Sequence, residues 1–258
     1  MSKTAPFFSI IIPTLNEQKH LPLLLTDLAA QSWQDFEVIH VDGQSEDKTV
    51  QVAKKFAPSL CLKQLSSKQR NVSVQRNLGA KNASGQWLVF MDADNRLPKY
   101  FLLGLKYRLE KSQAGDERAV DLFTTLIHLD KNQEQSPLNR SIVNFINVAI
   151  KTAANTGRPE AFGAMIGMKK AVFSKVRFNE KSQVMEDCML VQQAVRSGYA
   201  FRAFSDPTYA YSMRRFQTKG LPQTAYSGLR MQIKRLFGSD FSDGDDCGYT
   251  MGGGGQYN

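Results

Sequence analysis

The run "WLVFM" (87–91) is apolar at every position and meets "DADN" at its end. A strand with one wet face alternates apolar and polar side chains, whereas a strand that is apolar throughout must be covered on both faces. "SIII" (9–12) has the same character. "FSIII" (8–12), "FEVIHV" (36–41), "LCLKQL" (60–65) and "WLVFM" read as strands. Between them "LPLLLTDLAAQ" (21–31), "DKTVQVAKKF" (47–56) and "VSVQRNLGAKNAS" (72–84) carry helical periodicity. This alternation predicts right-handed crossovers and an α/β fold with a mostly parallel central sheet. Gly79, Ala80 and Ala83 permit close helix packing, and Gly85 is the expected helix stop.

The second half continues the pattern. Residues 120–130 and 199–204 read as strands, 138–155 and 184–198 as helices, and 162–173 as a strand leading into a short helix. Gly198 is the expected stop of the 184–198 helix. No fixed-period repeat is visible, which argues against a solenoid.

Composition sets broad limits. Of the 258 residues, 42% are hydrophobic and 22% charged, as in an ordinary globular chain. A formal charge of +9 favours anionic partners: nucleotide phosphates, nucleic acid or an acidic bilayer surface. Cys61, Cys188 and Cys247 are few, odd in number and far apart, which points away from disulfides and zinc and towards a reducing compartment. "PTLNE" interrupts the first apolar run, and nothing approaches the roughly 20 apolar residues of a spanning helix. The expectation is a cytoplasmic protein, or one held peripherally on the cytoplasmic face of a membrane.

Ligands of open α/β sheets bind beyond the carboxyl ends of the strands. Glu17 follows the first strand, Asp42 closes the second, and Asp92 and Asp94 close the fourth. Aspartates at i and i+2 on extended backbone face the same way and can share a divalent ion, Mn or Mg, with a diphosphate. A polar strand-end turn is the plainer alternative.

In order, "SIIIPTLNE", "VIHVDGQSEDKT", "QRNLGAKNASGQWLVFMDADN" and "MEDCMLVQQAVRSGYAFR" resemble the successive motifs of the family 2 glycosyltransferases, over residues 7 to 216. The resemblance implies the nucleotide-diphospho-sugar transferase fold, a Rossmann-like α/β/α sandwich. It also implies metal-dependent inverting transfer from a nucleotide-sugar donor, with UDP favoured, to a saccharide or lipid-linked acceptor. Pro13, Thr14, Leu15 and Glu17 would line the nucleoside pocket, with Asp42 at the base. Arg76 would lie near the base or diphosphate, and Asp92 and Asp94 near ribose and metal. Glu186 and Asp187 match the E-D pair, whose aspartate serves as general base, its partner orienting it or meeting the acceptor.

The chain departs from the family at three places. Gly43 stands for an acid, Gln44 for a glycine, and Leu15 for an aromatic residue. The Q-x-x-R-W motif of processive synthases is absent, which argues against a polymerising synthase. A glycine-rich first loop, which a sugar nucleotidyltransferase would use, is also missing from "IPTLNE". An inactive nucleotide-sugar-binding scaffold is the other alternative. Nucleic acid is not an expected partner, since no stacking motif is visible.

Several residues have plainer readings. Asp47 suits a helix start. Glu186 and Asp187 could complement a helix dipole. Arg76 could be solvated on a helix face. Arg214 and Arg215 suit either a diphosphate contact or a basic loop. His20, His40 and His128 lack metal-ligand spacing, and His40, inside a strand, reads as structural. The expected organisation is one catalytic domain over 1–216, with a donor half at 7–97 and an acceptor half at 98–216. A basic amphipathic helix at 217–238, suited to its own domain or to an anionic bilayer, and a flexible tail at 239–258 follow.

Overall fold

The computed structural model describes residues 5–115, 119–130, 136–155, 159, 165–182, 185–212 and 214. Arg215, the 217–238 segment and the 239–258 tail lie outside the described residues.

Seven strands form one sheet: β1 (Phe8–Thr14), β2 (Phe36–Asp42), β3 (Leu62–Ser66), β4 (Trp87–Met91), β5 (Leu122–Leu129), β6 (Met165–Lys169) and β7 (Phe201–Tyr211). Their order is β3-β2-β1-β4-β6-β5-β7. All neighbours pair in parallel except β6, which runs against both β4 and β5. Burial is complete in β1, β2 and β4, including Glu37, His40 and Asp42 of β2. β3 is a partly exposed edge.

The helices are α1 (Leu21–Ala29), α2 (Thr49–Lys54), α3 (Val72–Lys81), α4 (Phe101–Gln113), α5 (Pro137–Asn155), α6 (Lys170–Phe173) and α7 (Glu186–Arg196). Two apolar cores divide them by sheet face. One unites Leu21, Leu24 and Leu28 of α1 with Phe101, Leu105 and Leu109 of α4 and Val143, Ile146 and Ile150 of α5. The other gathers Ala80 of α3, Val172 of α6 and Leu190 and Val191 of α7. This is the α/β/α sandwich expected from the sequence.

The reading of local elements needs three corrections. α4 was not foreseen. β7 runs to Tyr211 rather than 204, with Asp206 and Pro207 inside a segment that carries little strand signal. Gly85 is not the stop of α3, which ends at Lys81. A Cβ at Gly85 would lie 2.7 Å from the backbone of Phe8 and Ser9, so the residue serves close approach to β1. Gly79 does pack closely, against Ile11 and Val41, and Gly198 sits at φ 89° just after α7.

Candidate active site

Because β1, β2 and β4 are parallel, their carboxyl ends open at one edge of the sheet. Pro13 and Thr14 end β1 opposite Val41 and Asp42 of β2, and Leu15 is buried just beyond. The Thr14 hydroxyl lies 2.8 Å from His40 Nε2 and 3.4 Å from the Asp42 carboxylate. Burial pushes the His40 imidazole down to about 4, against the pull of Asp42, so it is neutral at physiological pH. His40 is thus a buried structural residue. Asp42 accepts from the backbone N–H of Ser45 at 3.0 Å, closing the turn after β2.

That turn explains one departure from the family motif, Gly43, and gives no structural reason for the other, Gln44. A Cβ at Gly43 would meet the Gln75 side chain at 1.8 Å, so an acid is excluded while Gln75 keeps its place. Gln75 donates to the Thr14 carbonyl at 3.3 Å. Gln44 keeps a left-handed backbone, φ 68°, where glycine would be unstrained. Asn16, also left-handed at φ 56°, joins the loops: its N–H donates to Ser45 Oγ and its side chain accepts from Glu46 N–H. Asp47 accepts from the Thr49 N–H at 2.9 Å at the start of α2, which is the helix-start role its position suggests.

Two arginines tie the remaining acids together. Arg76, buried on α3, donates to Glu186 at 2.8 Å and to Asp92 at 3.0 Å. Its guanidinium lies over the Phe178 ring, 5.2 Å from the centroid. The cation that the resemblance placed near the base or diphosphate is therefore committed to two carboxylates. Arg214 forms a fork on Glu17, 3.0 and 2.9 Å, and also reaches Asp94 at 3.2 Å. Burial opposes its charge, but Glu17 and Asp94 hold its pKa above the usual range. Phe178 was missed in the sequence because an aromatic residue before the E-D pair has no signature of its own.

Glu186 and Asp187 open the first turn of α7, behind Met185 in a left-handed conformation at φ 56°. Burial, reinforced by the Glu186 charge, pushes Asp187 up to about 7, although Arg76 pulls the other way. Arg76 brings Asp92 and Glu186 together, and the charge of Asp92 adds to the rise at Asp187, so Asp92 and the E-D pair lie at one place. Burial raises Asp94 as well; Arg214 opposes that rise and Glu17 adds to it.

Among the described residues, no group of three or more His, Cys, Asp or Glu side chains is arranged to hold a metal. Small hard cations, however, commonly use one or two carboxylates and complete their shell with phosphate oxygens and water. The oxygen-only pair Asp92 and Asp94 fits a cation that arrives with a diphosphate, not one caged by protein alone.

Fold and site together define a Rossmann-like open sheet with a carboxylate-rich edge. The "Glycosyl transferase family 2" model matches residues 9–177, and the chain belongs to that family. A PGL/p-HBAD biosynthesis glycosyltransferase of Mycobacterium bovis is 43% identical over 95 residues, 36% of this chain and 37% of the relative. The poly(ribitol-phosphate) beta-N-acetylglucosaminyltransferase TarP of Staphylococcus aureus is 25% identical over 81% of this chain and 64% of its own. The chain thus spans less than two thirds of these relatives. Among solved structures, the mannosyltransferase PcManGT of Pyrobaculum calidifontis, in complex with GDP-Man and Mn2+, superposes with a TM-score of 0.65. That match has 19% identity and covers 88% of this chain and 65% of the other. S. aureus TarS in complex with UDP gives 0.58 at 22% identity, over 81% and 62%. No helix among the described residues is long and apolar enough to cross a membrane.

Proposed function

We propose that the protein transfers a sugar, with inversion, from a nucleotide-diphosphate-sugar donor to an acceptor hydroxyl or a lipid-linked phosphate. The observation that carries this reading is the Arg76 bridge, which joins Asp92 beyond β4 to Glu186 at the start of α7. In the proposed reaction Asp187 accepts the acceptor hydroxyl's proton as that oxygen attacks the anomeric carbon. The bond from that carbon to the diphosphate breaks, and its electron pair leaves with the nucleotide. Arg76 keeps Asp92 and Glu186 in register and is a positioning residue. Asp42 and the Pro13–Leu15 segment meet the nucleoside, and Glu17 is fixed beside them by Arg214.

Asp92 and Asp94 would hold a divalent cation, Mn or Mg, whose charge offsets that of the leaving diphosphate. Structural relatives solved with Mn2+ support the cation, and the TarS complex supports a UDP-sugar as the favoured donor. A cytoplasmic location belongs to the same proposal.

Calorimetry with UDP, GDP, dTDP and CDP in the presence of manganese tests donor binding. Binding of one nucleotide, lost on chelation, is expected; silence across the panel overturns the reading. Donor hydrolysis with nucleotide sugars then identifies the sugar.

A further inference from the structure

Exposed large apolar residues are ordinary when scattered and informative when gathered. Among the described residues six of the eight lie on or beside two helices, and the other two, Leu23 and Val50, lie on α1 and α2. α5 exposes Leu138, Phe145 and Val148, with Phe145 75% accessible. α4 exposes Leu103 and Tyr107, with Tyr100 just before its first turn. Spacings of 138, 145 and 148, and of 100, 103 and 107, place each set along one helical stripe. Both helices belong to the same apolar core, and both pack on β7. The two stripes therefore lie on one side of the sheet.

The charge on these helices is one-sided. Their sequences contain Lys106, Arg108, Lys111, Arg140 and Lys151 against one acid, Glu110; Lys106 takes Glu110 at 2.6 Å, Arg108 meets Asp206 of β7, and Lys111, Arg140 and Lys151 make up the positive excess. Lys111 lies 5.0 Å from the Tyr107 ring centroid, and Lys99 5.8 Å from that of Tyr100. Tyrosine with cations beside it, next to exposed Phe, Leu and Val, is the composition of a surface that rests in an anionic headgroup layer.

We propose that α4 and α5 together form a face that docks on an anionic bilayer. A second copy of the chain would set these cations against one another. The chain's own 217–238 segment is basic too, with Lys219, Arg230, Lys234 and Arg235 and no acid. The acid-rich 240–246 stretch could match the charge, but Phe241 is its one large apolar residue. The proposal does not depend on the reaction catalysed.

The test is co-sedimentation of the full chain with phosphatidylcholine vesicles, with and without phosphatidylglycerol. Wild type should pellet with the anionic vesicles and be released by salt. Phe145→Glu combined with Val148→Glu should lower partitioning about tenfold, since two exposed apolar anchors are lost. Arg140→Glu with Lys151→Glu should weaken it further towards neutral-vesicle levels. Circular dichroism and nucleotide binding should stay at wild-type values in both variants. Failure of wild type to pellet overturns the proposal. So does loss of pelleting only with Ile233→Glu and Phe237→Glu, or light scattering that shows a dimer broken by Phe145→Glu with vesicle binding untouched.

Discussion

Partial burial beside Glu186 pushes the Asp187 carboxyl up to about 7, so it stays protonated towards neutral pH. In the proposed role its ionised form is the reactive one, so kcat/KM should rise with pH through an apparent pKa near 7. The same shift has a stability cost. Between the ordinary carboxylate value of 3.8 and about 7 the folded state binds the extra proton, so this group's contribution falls as pH rises through that window. His40, depressed to about 4, acts in the opposite sense: its contribution is present above 6.5 and lost as pH falls towards 4. Asp187→Asn should therefore abolish transfer, spare donor binding, and raise Tm by roughly 2–4 °C at pH 8 but not at pH 4. An unchanged melting difference across that range would remove burial as the cause. Gly43 gives a second residue-scale expectation. Gly43→Asp, which restores the family acid, should cost about 1–3 kcal/mol by overpacking against Gln75. Adding Gln75→Ala should recover most of that loss in urea titrations. The missing acid was legible in the sequence; its reason was not, since Gln75 lies a helix away along the chain and meets Gly43 only after folding.

Among the elements, α3, α7 and the loop beyond β4 are bridged by the Arg76 guanidinium. Arg76→Ala should cost about 3–5 kcal/mol in denaturant titration, because the largely buried Glu186 loses its counter-charge. Arg76→Lys should recover only part, since a point charge cannot serve two carboxylates from one planar group. The acids at the ends of β1, β2 and β4 could be read from sequence because apolar runs mark where buried strands stop. Arg76's partners could not, because an arginine on a helix gives no sign of which side chains will face it. α4 was missed for a related reason: "FLLGLKYRLEKSQ" buries Phe101, Leu102, Leu105 and Leu109 but also exposes Leu103 and Tyr107, which blurs its periodicity. The second half of β7 lost its signal to Asp206 and Pro207.

At the scale of the molecule, the sheet is continuous from β3 to β7, and one apolar core runs beneath α1, α4 and α5. Trp33 packs on Phe7 and Phe8 near β1, while Trp87 packs on Phe123 of β5. Tryptophan fluorescence and far-ultraviolet dichroism should therefore report one coincident unfolding transition. Two separated transitions would mean that the donor and acceptor halves unfold apart. The overall α/β order was readable because strand and helix periods alternate so plainly; the reversal of β6 was not, since strand direction leaves no mark on a five-residue segment such as MIGMK. Arg214 reaches back 197 positions to grip Glu17. During synthesis on the ribosome, Glu17 and Asp94 emerge long before the cation that reconciles them. The carboxylate edge is thus completed only once Arg214 has emerged, and a nascent chain that has not yet threaded β7 into place carries that edge half-built.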